Sequence, residues 1–247
     1  MEQNKQRIVV KVGTSTLTHN SGALALWSME HLVRTLADLQ GMGHQVILVT
    51  SGAIAVGTAK LGLSERPKEL RMKQAAAAVG QCRMMHIYDK FFSEYNRSMA
   101  QILLTGDDVE DPERAEHLSN TFSALLEMGV IPVVNENDSV SSAEIETGRH
   151  KVLGDNDTLS AIVAELCRAD LLVLLSDIDG LYDADPKTHP EAKLLHQVTE
   201  LTPEILEMAG GAGSWRGTGG MATKLSAARI AMEAGCDMVI TNGRRME

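Results

Sequence analysis

Aromatic side chains make up only 3% of this 247-residue chain. That scarcity excludes a platform for stacking nucleic-acid bases and leaves Leu, Val, Ile, Ala and Met to fill the interior. Cysteine is scarcer still. Cys82, Cys167 and Cys236 lie far apart, form no CxxC pair and cannot all pair within one chain, so reduced thiols and a cytoplasmic location are expected. Positive charge is in deficit, with 23 Lys and Arg against 33 Asp and Glu and a formal charge of −10. With no basic run to offset it, such a field repels phosphate backbones and anionic lipid, so neither nucleic acid nor membrane is expected as a partner. No stretch approaches the roughly 18 apolar residues of a membrane span, and polar residues 1–7 lack the apolar region of a secretory signal. The motifs GxxxxGK[ST], HExxH and GxSxG are all missing, which argues against P-loop NTPases, zincins and α/β-hydrolases.

What the chain does contain is an alternation. Residues 8–12, 45–50, 99–105, 130–135, 171–176 and 238–241 are short β-branched or Leu-rich runs that read as buried strands. Between them, residues 24–39, 71–92, 113–128, 158–167 and 221–234 carry apolar positions at helical spacing. The pattern predicts an α/β fold with a mostly parallel sheet covered by helices. Gly41/Gly43, Gly129 and Gly235 stand at helix-to-strand joints, where left-handed C-caps are expected. The polar stretch 138–157 has no clear period and reads as a hairpin or loop. With neither linker nor internal repeat, one domain over residues 1–247 is the simplest division.

Ligands in parallel sheets sit beyond the carboxyl ends of the strands, so the residues after each strand matter most. Lys11-Val12-Gly13-Thr14-Ser15 follows the first, a lysine and then glycine and hydroxyls suited to phosphate oxygens, or a solvated lysine beside a turn. Thr50-Ser51-Gly52-Ala53 starts a helix directly at a Ser-Gly turn, an anion site unless Ser51 is a plain N-cap. Asn135-Glu136-Asn137-Asp138 holds more polarity than a turn needs and suits an ammonium or a carboxylate. Gly154-Asp155-Asn156-Asp157 has one acid for an N-cap and a second acid and an amide to position lysines or Mg²⁺ around a phosphoryl group.

Ser176-Asp177-Ile178-Asp179-Gly180 fails as a calcium loop, because its glycine comes too early and no glutamate closes it, and reads better as a nucleotide contact. Gly217-Thr218-Gly219-Gly220-Met221-Ala222-Thr223-Lys224 opens a helix with a lysine about one turn inside, converging backbone donors, dipole and ammonium on one anion. Its letters also fit a dinucleotide fingerprint, but no predicted strand precedes it. Two lysines, glycine-rich turns and acids at strand ends together suit phosphoryl transfer, which needs positioning and charge neutralisation rather than a covalent nucleophile.

In this order these motifs resemble the amino acid kinase family over nearly the whole chain. Lys11-Val12-Gly13-Thr14-Ser15 is closer to its glutamate-phosphorylating branch than to the aspartate or acetylglutamate kinases. The resemblance implies a three-layer αβα sandwich, with ATP and Mg²⁺ as cofactors and L-glutamate as acceptor. Carried over by position, Lys11, Lys224 and Asp157 are catalytic, and Ser51, Gly52, Asn135, Asp138 and Asn156 bind substrate. Lys11, Gly13, Ser176, Asp177, Thr218, Gly219, Gly220, Met221, Ala222, Thr223 and Lys224 contact ATP. A homo-oligomer, dimer or tetramer, with proline feedback is implied too. Against the family pattern the chain has no room for the C-terminal domain of RNA-modifying type and stops, at Glu247, before the last strands of the kinase domain. Another amino acid kinase, or a catalytically silent nucleotide-binding regulator, stays open as an alternative.

Overall fold

A computed structural model describes residues 5–140, 155–184, 186, 188–208 and 220–243. The chain runs β1 (Arg7–Val12), α1 (Thr14–Leu17), α2 (Leu26–Gly41), β2 (Gln45–Val49), α3 (Ala53–Lys60), α4 (Leu70–Glu94), β3 (Met99–Leu104), α5 (Gly106–Glu110) and α6 (Pro112–Glu127). It continues through β4 (Ile131–Glu136), α7 (Asn156–Leu166), β5 (Leu171–Ser176), β6 (Leu181–Tyr182), β7 (Leu194–Leu195), α8 (Pro203–Met208), α9 (Met221–Glu233) and β8 (Asp237–Asn242).

Six strands form one sheet in the order β3-β4-β2-β1-β5-β8, and every pairing in it is parallel. Each of the six falls within a residue or so of a run read from the sequence. For β1, β2, β4 and β5 the reason is burial on both faces, which makes a strand a continuous apolar run, while β3 and β8 are more exposed strands at the edges of the sheet. Along β1, Ile8, Val10 and Val12 join the core beneath α2, α3 and α4, with Leu36, Val56, Met84, Tyr88 and Phe92. Val9 points the other way, into the core shared with Phe122, Leu126, Leu159, Val163, Ala227 and Ala231 of α6, α7 and α9. The result is the expected three-layer αβα architecture.

Local chemistry sets the helix starts. Asp111 caps α6 by accepting from the Glu113 and Arg114 N–H groups, each at 3.0 Å, with Pro112 in the first turn. Asp155 caps α7 in the same way, so that helix begins at Asn156 rather than Thr158. Gly43, Gly129 and Gly235 do turn left-handed, while Gly41 is the last residue of α2. The short α1, α5 and α8 and the β6–β7 hairpin have no counterpart in the sequence-level reading. In the polar stretch, residues 141–154 lie outside the described residues.

Two glycines let α3 and α4 touch. A Cβ on Gly57 would lie 1.7 Å from the Ala76 carbonyl oxygen, and one on Gly80 would lie 1.8 Å from that of Ala53. Backbone-to-backbone packing thus fixes α3 against the 25-residue α4. Connections leave β1 toward β2 and leave β5 toward β8, in opposite directions across the sheet. The crevice between those two strand ends is where such folds place ligands. Among the described residues no helix is long and apolar enough to cross a membrane.

Candidate active site

At that crevice the ends of β1, β4 and β5 meet the first turns of α1, α3 and α7, with Lys224 of α9 alongside, around a cleft of about 400 Å³. Lys11 is the last residue but one of β1, Asp157 lies in the first turn of α7, and Lys224 lies one turn into α9. Three elements remote in sequence thereby deliver one ion triple. Lys11 Nζ is 2.5 Å from Asp157 Oδ1, and Lys224 Nζ is 3.0 Å from Oδ2. The Thr223 hydroxyl is also 2.9 Å from Oδ2. Only 1% of the Asp157 side chain is exposed, against 11% for Lys11 and 8% for Lys224. Burial alone would raise the Asp157 carboxyl, but the ammoniums of Lys11 and Lys224 outweigh it and hold the group below the usual carboxylate range. Neighbouring Asp155 is pushed up, mainly by burial, although the Thr158 and Asp157 N–H groups that it caps work against the shift.

Within this triple two lysines meet one carboxylate, so one of its positive charges is unmatched in a sheltered place. Helix ends add to it. Gly52 is the N-cap of α3 and supplies no side chain to its first-turn N–H groups. Its φ of 99° is left-handed, and a Cβ there would come within 3.2 Å of Thr14, so the turn demands glycine. The plain N-cap reading of Ser51 is thereby replaced. Ser51 Oγ donates instead to the Val12 carbonyl at 3.1 Å and accepts from Thr14 Oγ1 at 3.2 Å, tying the ends of β1 and β2 together.

Amides form a second layer. Asn156 Nδ2 donates to the Thr50 carbonyl at 2.8 Å and lies 3.3 Å from Asn135 Oδ1, while Asn135 Nδ2 donates to Gln81 Oε1 at 2.8 Å. Asn156 lines the cleft. Asn135 does not; it is buried beneath and reaches the cleft only through Asn156. Asp138 also lines the cleft, where burial and then Glu136 push its carboxyl up to about 6 while Arg66 pulls it down.

Of the remaining residues singled out by sequence, Gly13, Ser176 and Asp177 line the cleft. Met221, Ala222 and Thr223 form the first turn of α9 behind Gly220, its N-cap. Thr218 and Gly219 lie outside the described residues. The structure adds Thr14, Ser15, Arg66, Glu136 and Asp155 to the cleft wall. Thr14, Ser15, Glu136 and Asp155 were visible inside the motifs already quoted. Arg66 carried no signal, since Glu65, Lys68, Glu69 and Arg71 around it read as a solvated charged loop.

Residues 6–242 match the model of the amino acid kinase family. The chain belongs to that family. Similar curated proteins include the glutamate 5-kinase of Clostridium perfringens, 55% identical over 245 residues that span 99% of this chain and 90% of the relative. The glutamate 5-kinase of Clostridium acetobutylicum is 55% identical over 244 residues, 99% of this chain and 89% of that one. Among solved amino acid kinase folds, carbamate kinase from Giardia lamblia bound to AMP-PNP superposes with a TM-score of 0.66 at 14% identity, covering 98% of this chain and 94% of that one. UMP kinase from Ureaplasma parvum gives 0.62 at 14% identity, over 97% and 91% of the two chains.

Proposed function

We propose that the protein transfers the γ-phosphoryl group of ATP to the side-chain carboxylate of L-glutamate, giving glutamyl 5-phosphate and ADP, the first step of proline biosynthesis. One observation carries the chemistry: Lys11 and Lys224, brought from opposite ends of the chain, both rest on the buried Asp157 at the mouth of the crevice. In the reaction a carboxylate oxygen bonds to the γ-phosphorus while the bond from that phosphorus to the bridging oxygen of the β-phosphate breaks. Negative charge shifts onto the leaving phosphate and spreads over the transferring group, and the two ammoniums and the α3 first turn are placed to stabilise it. Asp157 holds the lysines apart from one another and oriented. Asp138, with Asn156 and Ser51, takes the amino-acid end, its carboxylate pairing with the α-ammonium.

Mg²⁺ bound with ATP offsets charge on the β- and γ-phosphates. Among the described residues no three His, Cys, Asp or Glu side chains converge on one point, a donor set that fits an ion held chiefly by phosphate oxygens. The glutamate 5-kinase names of relatives at 55% identity favour glutamate over the acceptors of sister enzymes. Residues 1–247 act in this proposal as one kinase domain, in a cytoplasmic homo-oligomer, dimer or tetramer, subject to inhibition by proline. Light scattering and a proline titration test those last two parts.

The deciding assay incubates the protein with Mg-ATP and hydroxylamine, which traps acyl phosphates as hydroxamates. Hydroxamate is expected with L-glutamate and not with L-aspartate or N-acetyl-L-glutamate. Acetylation removes the positive charge that Asp138 meets and leaves that half-buried carboxylate without its ammonium partner. Equal kcat/KM for glutamate and N-acetylglutamate would reassign the chain to the acetylglutamate branch.

A further inference from the structure

We propose that Arg66 is the specificity-determining cation of the cleft, receiving the α-carboxylate of the amino-acid substrate; this rests on the glutamate kinase activity proposed above. The substrate carries one ammonium and two carboxylates, and the cleft divides its charges to match. Lys11 and Lys224 are both held on Asp157, which commits them to the γ-carboxylate and the phosphoryl group. Asp138 offers the counter-charge for the ammonium. The α-carboxylate is covalently attached to the carbon that bears the ammonium, so its partner must lie on the Asp138 side.

Arg66 is the cation lining the cleft whose field acts on Asp138. Its loop joins α3, which ends at Lys60, to α4, which begins at Leu70. Of the other cations on this side, Arg71 is engaged with Glu69, and neither Lys68 nor Arg71 lines the cleft. Pro67 follows directly and restricts the Arg66 backbone to extended conformations, limiting how far the loop can swing. Arg66 is exposed as well as lining the cleft, which suits a group that meets substrate on entry, and its planar donor fork matches a carboxylate. An α-amino acid bound between Asp138 and Arg66 replaces one through-space attraction with two direct charge-assisted contacts. A dicarboxylate lacking the amino group, or an α-amide, satisfies only one.

The test compares L-glutamate with L-isoglutamine, its α-amide, which keeps the ammonium and the γ-carboxylate acceptor. Both are assayed by ADP release and hydroxamate formation with the wild type, Arg66→Gln and Arg66→Lys. Losing a charge-assisted contact should raise the glutamate KM of Arg66→Gln about 10- to 100-fold, with turnover at saturating glutamate within a few-fold and the KM for ATP unchanged. The isoglutamine KM should move less than about threefold, so that the wild-type preference for glutamate collapses in the variant, and Arg66→Lys should recover part of it. An equal loss with both substrates would assign Arg66 to loop structure or to Asp138 alone, and an unchanged glutamate KM would remove it from recognition; either overturns the proposal. A wild type that makes no glutamate hydroxamate at all overturns the kinase assignment first, and this one with it.

Discussion

Replacing Asp157 with Asn keeps the shape of the side chain and removes its charge, which leaves the two ammoniums facing each other in a site where the lysine side chains are 11% and 8% exposed. Breaking a buried ion pair from one side costs about 3–5 kcal/mol, because the partner charge stays desolvated. For a chain of this length each kcal/mol moves Tm by roughly 2–4 °C, so Asp157→Asn should melt roughly 6–20 °C below the wild type at pH 7. Ligand changes the comparison. Phosphate oxygens supply the negative charge that the variant lacks, so saturating Mg-ATP should raise the variant's Tm more than that of the wild type. The folded-state carboxyl is held below its ordinary value, so its stabilisation is present above the unfolded pKa of about 3.9 and is lost as pH falls through the folded value. The gap between the two melting curves should therefore narrow below about pH 4. Differential scanning fluorimetry across pH, with and without Mg-ATP, reads all three effects. A variant melting within about 2 °C of the wild type at pH 7, or gaining no more from Mg-ATP, refutes the view that Asp157 restrains two lysines against repulsion.

Lys11→Ala and Lys224→Ala should each lower kcat on the order of 10²–10³-fold with a smaller change in the glutamate KM, since their charges act on the transition state; near-normal turnover in either would return that lysine to solvent. Asp138, raised to about 6 by burial and Glu136, must be ionised to pair with an ammonium, so kcat/KM for glutamate should fall about tenfold per unit below that pH. In Asp138→Asn that acid limb should be absent, and a limb that persists there belongs to another group. Gly80→Ala drives a Cβ to 1.8 Å from the Ala53 carbonyl oxygen and should cost on the order of 3 kcal/mol in urea unfolding; an unchanged midpoint would mean that α3 and α4 slide apart freely.

The six strands were legible because each is a short run rich in apolar or β-branched residues: β1, β2, β4 and β5 are covered on both faces, and the more exposed edge strands β3 and β8 still carry enough such residues to stand out. The hairpin β6–β7, with two residues in each strand, has no length over which a period can appear. Lys11, Asp157 and Lys224 were legible as types of residue at strand and helix ends, but not as a triple, because nothing in the letters says that residues 146 and 67 positions from Asp157 close on opposite oxygens of one carboxylate. The division of labour between Asp155 and Asp157 was equally hidden. One caps a helix and the other binds lysines, and only the direction of each side chain separates them. Asn135 reads as a ligand residue by position, yet its amide is turned down to Gln81 on α4, a partner 54 residues away.

The central place of β1 has a consequence for how the chain is made. Arg7 meets Gln45 only 38 residues downstream, yet it meets Asp170 across 163 residues. The β3-β4-β2-β1 half of the sheet can therefore assemble while the rest is still being synthesised. At about 5–20 residues per second, translation leaves roughly 6–25 s between completion of β2 and arrival of β5. During that interval the edge of β1 that β5 will occupy carries unpaired amide and carbonyl groups along Ile8–Val12, flanked by some of the most apolar residues in the chain. An open edge of that kind accepts any strand within reach. The window for misassembly thus lies in the first passage of the ribosome rather than in the finished enzyme, and slower decoding between residues 50 and 170 would widen it.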